Sequence, residues 1–99
     1  MSDILLLLSA EMDVQAGYER YESFQTGRGD EFLRRVDVAM AVLENHPFIG
    51  PRHFQNFRRI LVQKFPYGIF YVPEAGRTVI HAVLDLRTDP ALIRKRLGG

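Results

Sequence analysis

The sequence contains no cysteine and no long apolar run. Without cysteine, the chain has no disulfide bond, no thiolate zinc site and no cysteine nucleophile. The longest apolar run, residues 38–43, is well below the roughly 18 residues that a transmembrane helix needs. The run at residues 4–8 is short and follows an aspartate, whereas a secretory signal begins with positive charge. We therefore expect a cytoplasmic protein with no membrane partner.

Signals for a cofactor or a metal are also missing. No glycine-rich loop follows a predicted strand, so a phosphate-binding loop of the usual kind is not expected. His46 and His53 lie near two prolines without an acidic cluster, which argues against a metal site. The 99 residues, 46% hydrophobic and 25% charged, suffice for one core. We predict a single domain over residues 1–99, without cofactor or metal.

The charges are divided unevenly along the chain. Residues 1–50 carry four Arg and nine Asp or Glu, a net charge of −5. Residues 51–99 carry nine Lys or Arg and three Asp or Glu, a net charge of +6. Arginine outnumbers lysine eleven to two, and its planar guanidinium suits phosphate and carboxylate groups. The pattern fits a polyanionic partner on one face, or acidic helices that lie against basic strands.

The acidic half is predicted to form a strand and two helices. Residues 4–8 are expected to form a buried strand. Ser9 and Asp30 are the expected N-caps of two amphipathic helices, separated by a break at Gly27 and Gly29. The second helix should end before Pro47. Two such helices predict a hairpin that covers one face of a sheet.

The basic half is predicted to form three strands and a short helix. Strands are expected at residues 55–65, 67–72 and 77–86, with a turn at residues 73–76. Asp89 before Pro90 predicts a capped helix that extends through residue 97. In the third of these strands we expect one face to carry the apolar side chains and the other to carry His81 and Asp85. The apolar face would consist of Ile80, Ala82, Leu84 and Leu86.

Residues 65–71 (FPYGIFY) and 82–90 (AVLDLRTDP) resemble the RelE/ParE superfamily of type II toxin–antitoxin toxins. Residues 43–47 (LENHP) and the pair Arg58 and Arg59 also resemble this family's pattern. Within and after the second stretch, Arg87, Asp89, Pro90 and Arg96 match the family's C-terminal pattern. The resemblance implies an α+β fold of order β-α-α-β-β-β-α, with a helical hairpin packed on a small, mainly antiparallel sheet. It also implies a cognate antitoxin as partner.

The resemblance leaves two branches of activity open. One branch cleaves messenger RNA on the ribosome by metal-free acid–base chemistry, and the ParE branch poisons DNA gyrase. This chain has Asp85 where the nuclease pattern has a histidine, and Gly68 and Thr88 where it has arginines. Were it a nuclease, the catalytic candidates would be His81, Asp85 and Arg87. Each has a structural alternative, and for Asp85 this is an ion pair with Arg87 or Arg58.

Two sets of binding residues are predicted. The basic set is expected to contact nucleic acid or another target, unless its members pair with helix carboxylates. It comprises Arg58, Arg59, Lys64, Arg87, Arg94 and Arg96. The aromatic set would anchor the antitoxin, unless its members simply close the core. It comprises Phe48, Phe54, Phe57 and Tyr67.

The leading hypothesis is a ParE-like toxin that inhibits growth through DNA gyrase or replication and is neutralised by its antitoxin. The alternatives are a ribosome-dependent messenger-RNA endonuclease, and a decayed, non-toxic homologue that only binds an antitoxin. A homodimer and a hetero-oligomer with the antitoxin are both compatible with the sequence.

Overall fold

The computed structural model describes residues 2–98, which form three helices and one five-stranded sheet. In chain order the elements are β1 (Asp3–Leu6), α1 (Leu8–Phe24), α2 (Arg28–Asn45), β2 (Arg52–Phe54), β3 (Phe57–Val62), β4 (Tyr67–Glu74), β5 (Arg77–Asp85) and α3 (Pro90–Arg96). The strand order is β1-β5-β4-β3-β2, and every pair is antiparallel except β1 with β5. The predicted helical hairpin on a mainly antiparallel sheet is confirmed. Within residues 2–98, no helix is long and apolar enough to cross a bilayer.

The predicted strand at residues 55–65 is shortened to β3, and an additional short strand, β2, precedes it. Gln55 has a φ of 52°, in the left-handed region, and joins β2 to β3. Lys64 has a φ of 70° and lies in the connection from β3 to β4. Left-handed backbone interrupts a strand, so the regular part of this segment is six residues long. The sheet therefore has one strand more than the sequence predicted.

The first two helices begin earlier than predicted. Leu7 and Gly27 are the N-cap residues, so the assignments of Ser9 and Asp30 are wrong. Ser9 lies inside α1, and its hydroxyl donates to the carbonyl of His81 at 3.4 Å. The start of α2 is held instead by Glu22, whose carboxylate accepts from the N–H groups of Gly27 and Gly29 at 3.0–3.1 Å. A carboxylate there is favoured because helix N-termini expose unpaired N–H groups.

The last helix begins as predicted. The Asp89 side chain accepts a hydrogen bond from the Ala91 N–H at 2.9 Å, with Pro90 in the first helical position. Ile93 and Leu97 pack against the sheet face opposite the hairpin. They contact a second, smaller cluster that includes Phe57, Phe70 and Ala82.

The main core lies between the helical hairpin and the sheet. Phe32 of α2 is fully buried and packs edge-on against Phe65 and Tyr67. The two helices approach closely because α1 has a glycine at the crossing. A Cβ at Gly17 would lie 2.6 Å from the Phe32 ring, well inside van der Waals contact. The helix pair is thus fixed over the sheet by an aromatic cluster.

A β-bulge in β5 changes which face each residue occupies. Tyr71 pairs with Ile80 and Phe70 pairs with Ala82, which leaves His81 as the extra residue. Two residues then oppose one, and the alternation of faces shifts by one position. The predicted single apolar face of β5 is therefore wrong. Ile80 lies in the main core, whereas Ala82, Leu84 and Leu86 belong to the cluster beneath α3.

Candidate functional site

An exposed apolar groove runs between α2 and β3. It is lined by Val38 and Val42 of α2, Ile49 of the following loop, and Leu61 at the edge of β3. Val38, Ile49 and Leu61 are 55%, 57% and 59% exposed. Large apolar side chains that cluster at a surface mark an interaction site more often than scattered ones do. We call these four residues the α2–β3 groove.

One side of β3 is open beside this groove. β2 pairs with β3 only at Phe57 and Arg58. The Arg59 N–H also points to this side, because it donates to the carbonyl of Pro51 at 3.2 Å. Backbone groups of alternate residues point the same way, so those of Leu61 face the open side. Among residues 2–98, no strand pairs there with Leu61, and the edge can accept another strand.

The loop at residues 46–51 is held in a defined position. The Gly50 N–H donates to the hydroxyl of buried Tyr71 at 2.9 Å. The Arg58 guanidinium donates to the carbonyls of Gly50 at 2.7 Å and Phe48 at 3.3 Å, and it lies 5.2 Å from the Phe48 ring centre. A Cβ at Gly50 would lie 2.6 Å from the Arg59 carbonyl oxygen, so the backbone can approach this closely only at glycine. These contacts fix where the loop presents Ile49.

The four aromatic residues predicted to bind the antitoxin occupy different environments. Phe48 is exposed on the loop, and Phe54 is half-buried at the end of β2. Phe57 and Tyr67 are buried, in the cluster beneath α3 and in the main core respectively. Phe57 and Tyr67 therefore belong to the core, as the alternative interpretation of the aromatic set predicted.

Sequence reasoning did not single out Val38, Val42 or Leu61 as binding residues. Val38 and Val42 belong to the longest apolar run but lie outside the stripe that helical spacing predicts to be buried, which includes Val36 and Leu43. They are exposed because α2 packs on the sheet through a different face, which carries Val36, Ala39 and Leu43. The sequence did contain a signal for this face. Val38 and Val42 are four residues apart and so share one face of the helix, and this face is not the one that carries Val36.

Two of the six predicted basic residues hold the fold together. Arg58 supports the loop described above. Arg96 donates two hydrogen bonds to the Asp13 carboxylate, at 2.9 and 2.7 Å, and a third to the carbonyl of Ser9 at 3.1 Å. Asp13 also accepts from the Val83 N–H at 3.0 Å. Asp13 and Arg96 therefore join α3 to both α1 and β5.

A third basic residue, Arg87, pairs with the candidate catalytic carboxylate. Its Nε donates to Asp85 Oδ1 at 3.0 Å and its Nη2 donates to Oδ2 at 2.7 Å. The Arg87 backbone N–H donates to Oδ1 at 2.9 Å, and Arg20 donates to Oδ2 at 3.1 Å. The hydrogen bonds from Arg87 lower the pKa of Asp85, and the positive charges of Arg87 and Arg20 lower it further. The carboxylate is therefore ionised and fully engaged at neutral pH.

His81 does not join Asp85, contrary to prediction. It packs edge-on against Phe57, with 4.9 Å between ring centres, on the face that α3 covers. Asp85 instead reaches Arg20 of α1 on the opposite face. Burial lowers the pKa of His81, and the charge of Glu74 opposes this shift. Of the three nuclease candidates, the structure brings Asp85 and Arg87 together and leaves His81 apart.

Arg59 and Arg94 line the same basic pocket between the sheet and α3. The cavity is about 310 Å³. It is lined by His53, Phe54, Arg59, Leu86, Pro90, Ile93 and Arg94. Burial, followed by the charges of Arg59 and Arg94, lowers the pKa of His53. Lys64 lies away from this pocket, in the connection between β3 and β4.

The features found among residues 2–98 are binding surfaces. Residues 2–98 contain no group of three or more His, Asp or Glu side chains placed to hold a metal ion. The two surfaces that remain are the apolar groove with its open strand edge, and the basic pocket.

Comparison with known proteins identifies the fold. No protein-family model and no curated protein matches the chain. A solved structure described as "Chromosomal ParDE TA system from P. aeruginosa" matches with a TM-score of 0.75 and 14% identity. The match covers 84% of this chain and 94% of that chain. The chain therefore shares the fold found in that ParDE system, and the α+β fold predicted from the RelE/ParE resemblance is confirmed.

Proposed function

We propose that this protein is the ParE-like toxin of a type II toxin–antitoxin pair, and that a cognate antitoxin neutralises it by direct binding. The observation that carries the proposal is the fold shared with a chain of the ParDE system over most of both chains. Fold alone does not determine activity, so the proposal also depends on the surfaces that this chain presents. We propose that it acts in the cytoplasm, with DNA gyrase or the replication machinery as target.

The α2–β3 groove is the proposed antitoxin site. Its exposed valine and isoleucine side chains suit the apolar face of an amphipathic segment. The open side of β3 at Leu61 lies beside them and can pair with an extended segment of the same partner. The net charge of +6 over residues 51–99 favours a partner with acidic residues around its apolar contacts. The complex would be a hetero-oligomer of toxin and antitoxin.

The state of Asp85 favours a toxin that is not a nuclease. A general base must be free to take a proton, and its pKa should be near the working pH. The Asp85 carboxylate accepts from both Arg87 and Arg20, and its pKa is lowered away from neutrality. His81, the other proton-transfer candidate, lies against Phe57 on the opposite face of the sheet.

Induction of the full chain in growing bacteria tests the function. Messenger-RNA ends and gyrase–DNA cleavage complexes are mapped in parallel samples. We expect growth to stop and cleavage complexes to accumulate, without new RNA ends in phase with ribosomal A sites. Phased RNA ends would support the nuclease alternative instead, and normal growth at confirmed expression would indicate a decayed homologue. The variant Asp85→Asn tests the nuclease alternative, because a nuclease that uses this carboxylate would lose its RNA cleavage.

A further inference from the structure

The Arg59 side chain lies flat across a neighbouring strand. A Cβ at Gly68 of β4 would lie 3.1 Å from Arg59 Cδ and 3.2 Å from its Cγ. It would also lie 2.9 Å from a methyl group of Leu86. Gly68 is diagonal to Arg59 across the β3–β4 pair, since Arg59 pairs directly with Phe70. The missing side chain at Gly68 therefore opens the path by which Arg59 reaches toward α3.

The pocket that Arg59 enters holds a second arginine. Arg94 projects from α3 and lines the same cavity. Neither Arg59 nor Arg94 has an ion-pair partner among residues 2–98, whereas Arg58, Arg87 and Arg96 hold protein groups. Two guanidinium groups on one cavity repel each other and favour a bound anion between them.

The rest of the pocket is aromatic and apolar. His53 packs against Phe70, with 5.7 Å between ring centres, and Phe54 is half-buried beside it. Burial, followed by the charges of the two arginines, lowers the pKa of His53 and disfavours its charged form. Leu86 and Ile93 complete the wall. Such a surface suits a flat ring attached to the anion, because aromatic side chains stack on nucleobases.

We propose that the Arg59–Arg94 pocket binds a nucleoside monophosphate, with its phosphate between the two guanidinium groups and its base against His53 and Phe54. The cavity of about 310 Å³ lies at the lower end of ligand pockets, which span roughly 300–1,000 Å³, and this size suits one nucleotide. The inference does not depend on the proposed toxin function, since it concerns the opposite face of the sheet from the helical hairpin.

Calorimetric titration of the full chain at low ionic strength tests the proposal, with adenosine monophosphate, adenosine and inorganic phosphate as separate probes. We expect saturable binding of the monophosphate, at least tenfold weaker binding of phosphate, and no measurable binding of adenosine. Phe54→Leu should weaken the monophosphate at least threefold and leave phosphate unchanged. No saturable binding of the monophosphate, or equal affinity for phosphate, would overturn the proposal.

Arginine variants distinguish binding in this pocket from a general electrostatic attraction of the anion to a positively charged protein. Arg59→Gln and Arg94→Gln should each weaken the monophosphate at least tenfold. The matched control is Arg77→Gln, which removes the same charge at the start of β5 and should change the affinity less than twofold. Equal losses in all three variants would contradict a defined site. Arg94 is exposed on α3, so its variant decides the outcome if Arg59→Gln unfolds.

Discussion

Asp85 and Arg87 form a two-point ion pair at the end of β5, with hydrogen bonds of 3.0 and 2.7 Å. The Asp85 side chain is only 12% exposed, and Arg20 of α1 reaches the same carboxylate. The position where the nuclease pattern of the family has a histidine is thus occupied here by a carboxylate that ties strand to helix. This arrangement makes Asp85 a structural residue in our account.

The ion pair predicts a pH-dependent contribution to stability. A lowered pKa in the folded state means that Asp85 stabilises the protein above its unfolded pKa of about 3.9. This contribution is lost as the pH falls through the lower, folded-state pKa. Asp85→Asn should therefore be less stable than the wild type at pH 6, and the difference should shrink steadily below pH 4. Urea unfolding over this pH range measures the difference, and a constant gap would contradict the account.

The hydroxyl of Tyr71 predicts a second effect on stability. Tyr71→Phe removes the acceptor of the Gly50 N–H in a buried site. An unpaired buried donor costs about 1–3 kcal/mol, so we expect a loss of this size in the free energy of unfolding. Tyr67→Phe is the matched control, because its hydroxyl has no hydrogen-bond partner among residues 2–98 and is not a buried unpaired group, so we expect a loss below about 0.5 kcal/mol. Equal losses would show that the loop is held by other contacts.

The Arg96–Asp13 pair predicts how firmly α3 is held. Arg96→Gln removes a two-point ion pair between α3 and α1, although Ile93 and Leu97 still pack on the sheet. Because the pair is partly exposed, we expect a loss of about 1 kcal/mol and faster amide hydrogen exchange within α3. Arg77→Gln breaks an exposed pair with Glu74 and should leave exchange in α3 unchanged. Unaltered exchange in Arg96→Gln would mean that apolar packing alone fixes the helix.

Much of the fold follows from local sequence signals. Helical spacing identified both long helices, and Pro47 correctly marked where α2 ends. Asp89 and Pro90 correctly marked the start of α3. The bulge at His81 was not predictable, because it depends on how β4 and β5 align and no proline or glycine marks it. One extra residue there was enough to invert the predicted faces of the strand.

The candidate sites were less predictable than the fold. The basic residues were identified by type, but sequence could not separate Arg59 and Arg94, which face a cavity, from Arg58 and Arg96, which hold carbonyls and a carboxylate. That division depends on which element lies opposite each side chain. The groove was missed for the same reason, because the exposure of Val38 is set by the packing of α2 on the sheet.

Binding of the antitoxin in the α2–β3 groove can be measured by one comparison of affinities. The probe is the protein encoded by the reading frame that adjoins this gene, titrated against the full chain and two variants. Val38→Glu places a charge in the groove, whereas Met12→Glu makes the same kind of change at a similarly exposed position on α1. We expect at least a hundredfold loss of affinity for Val38→Glu, less than twofold for Met12→Glu, and unchanged melting temperatures. Equal affinities of the two variants, or no binding by the wild type, would contradict binding in the groove.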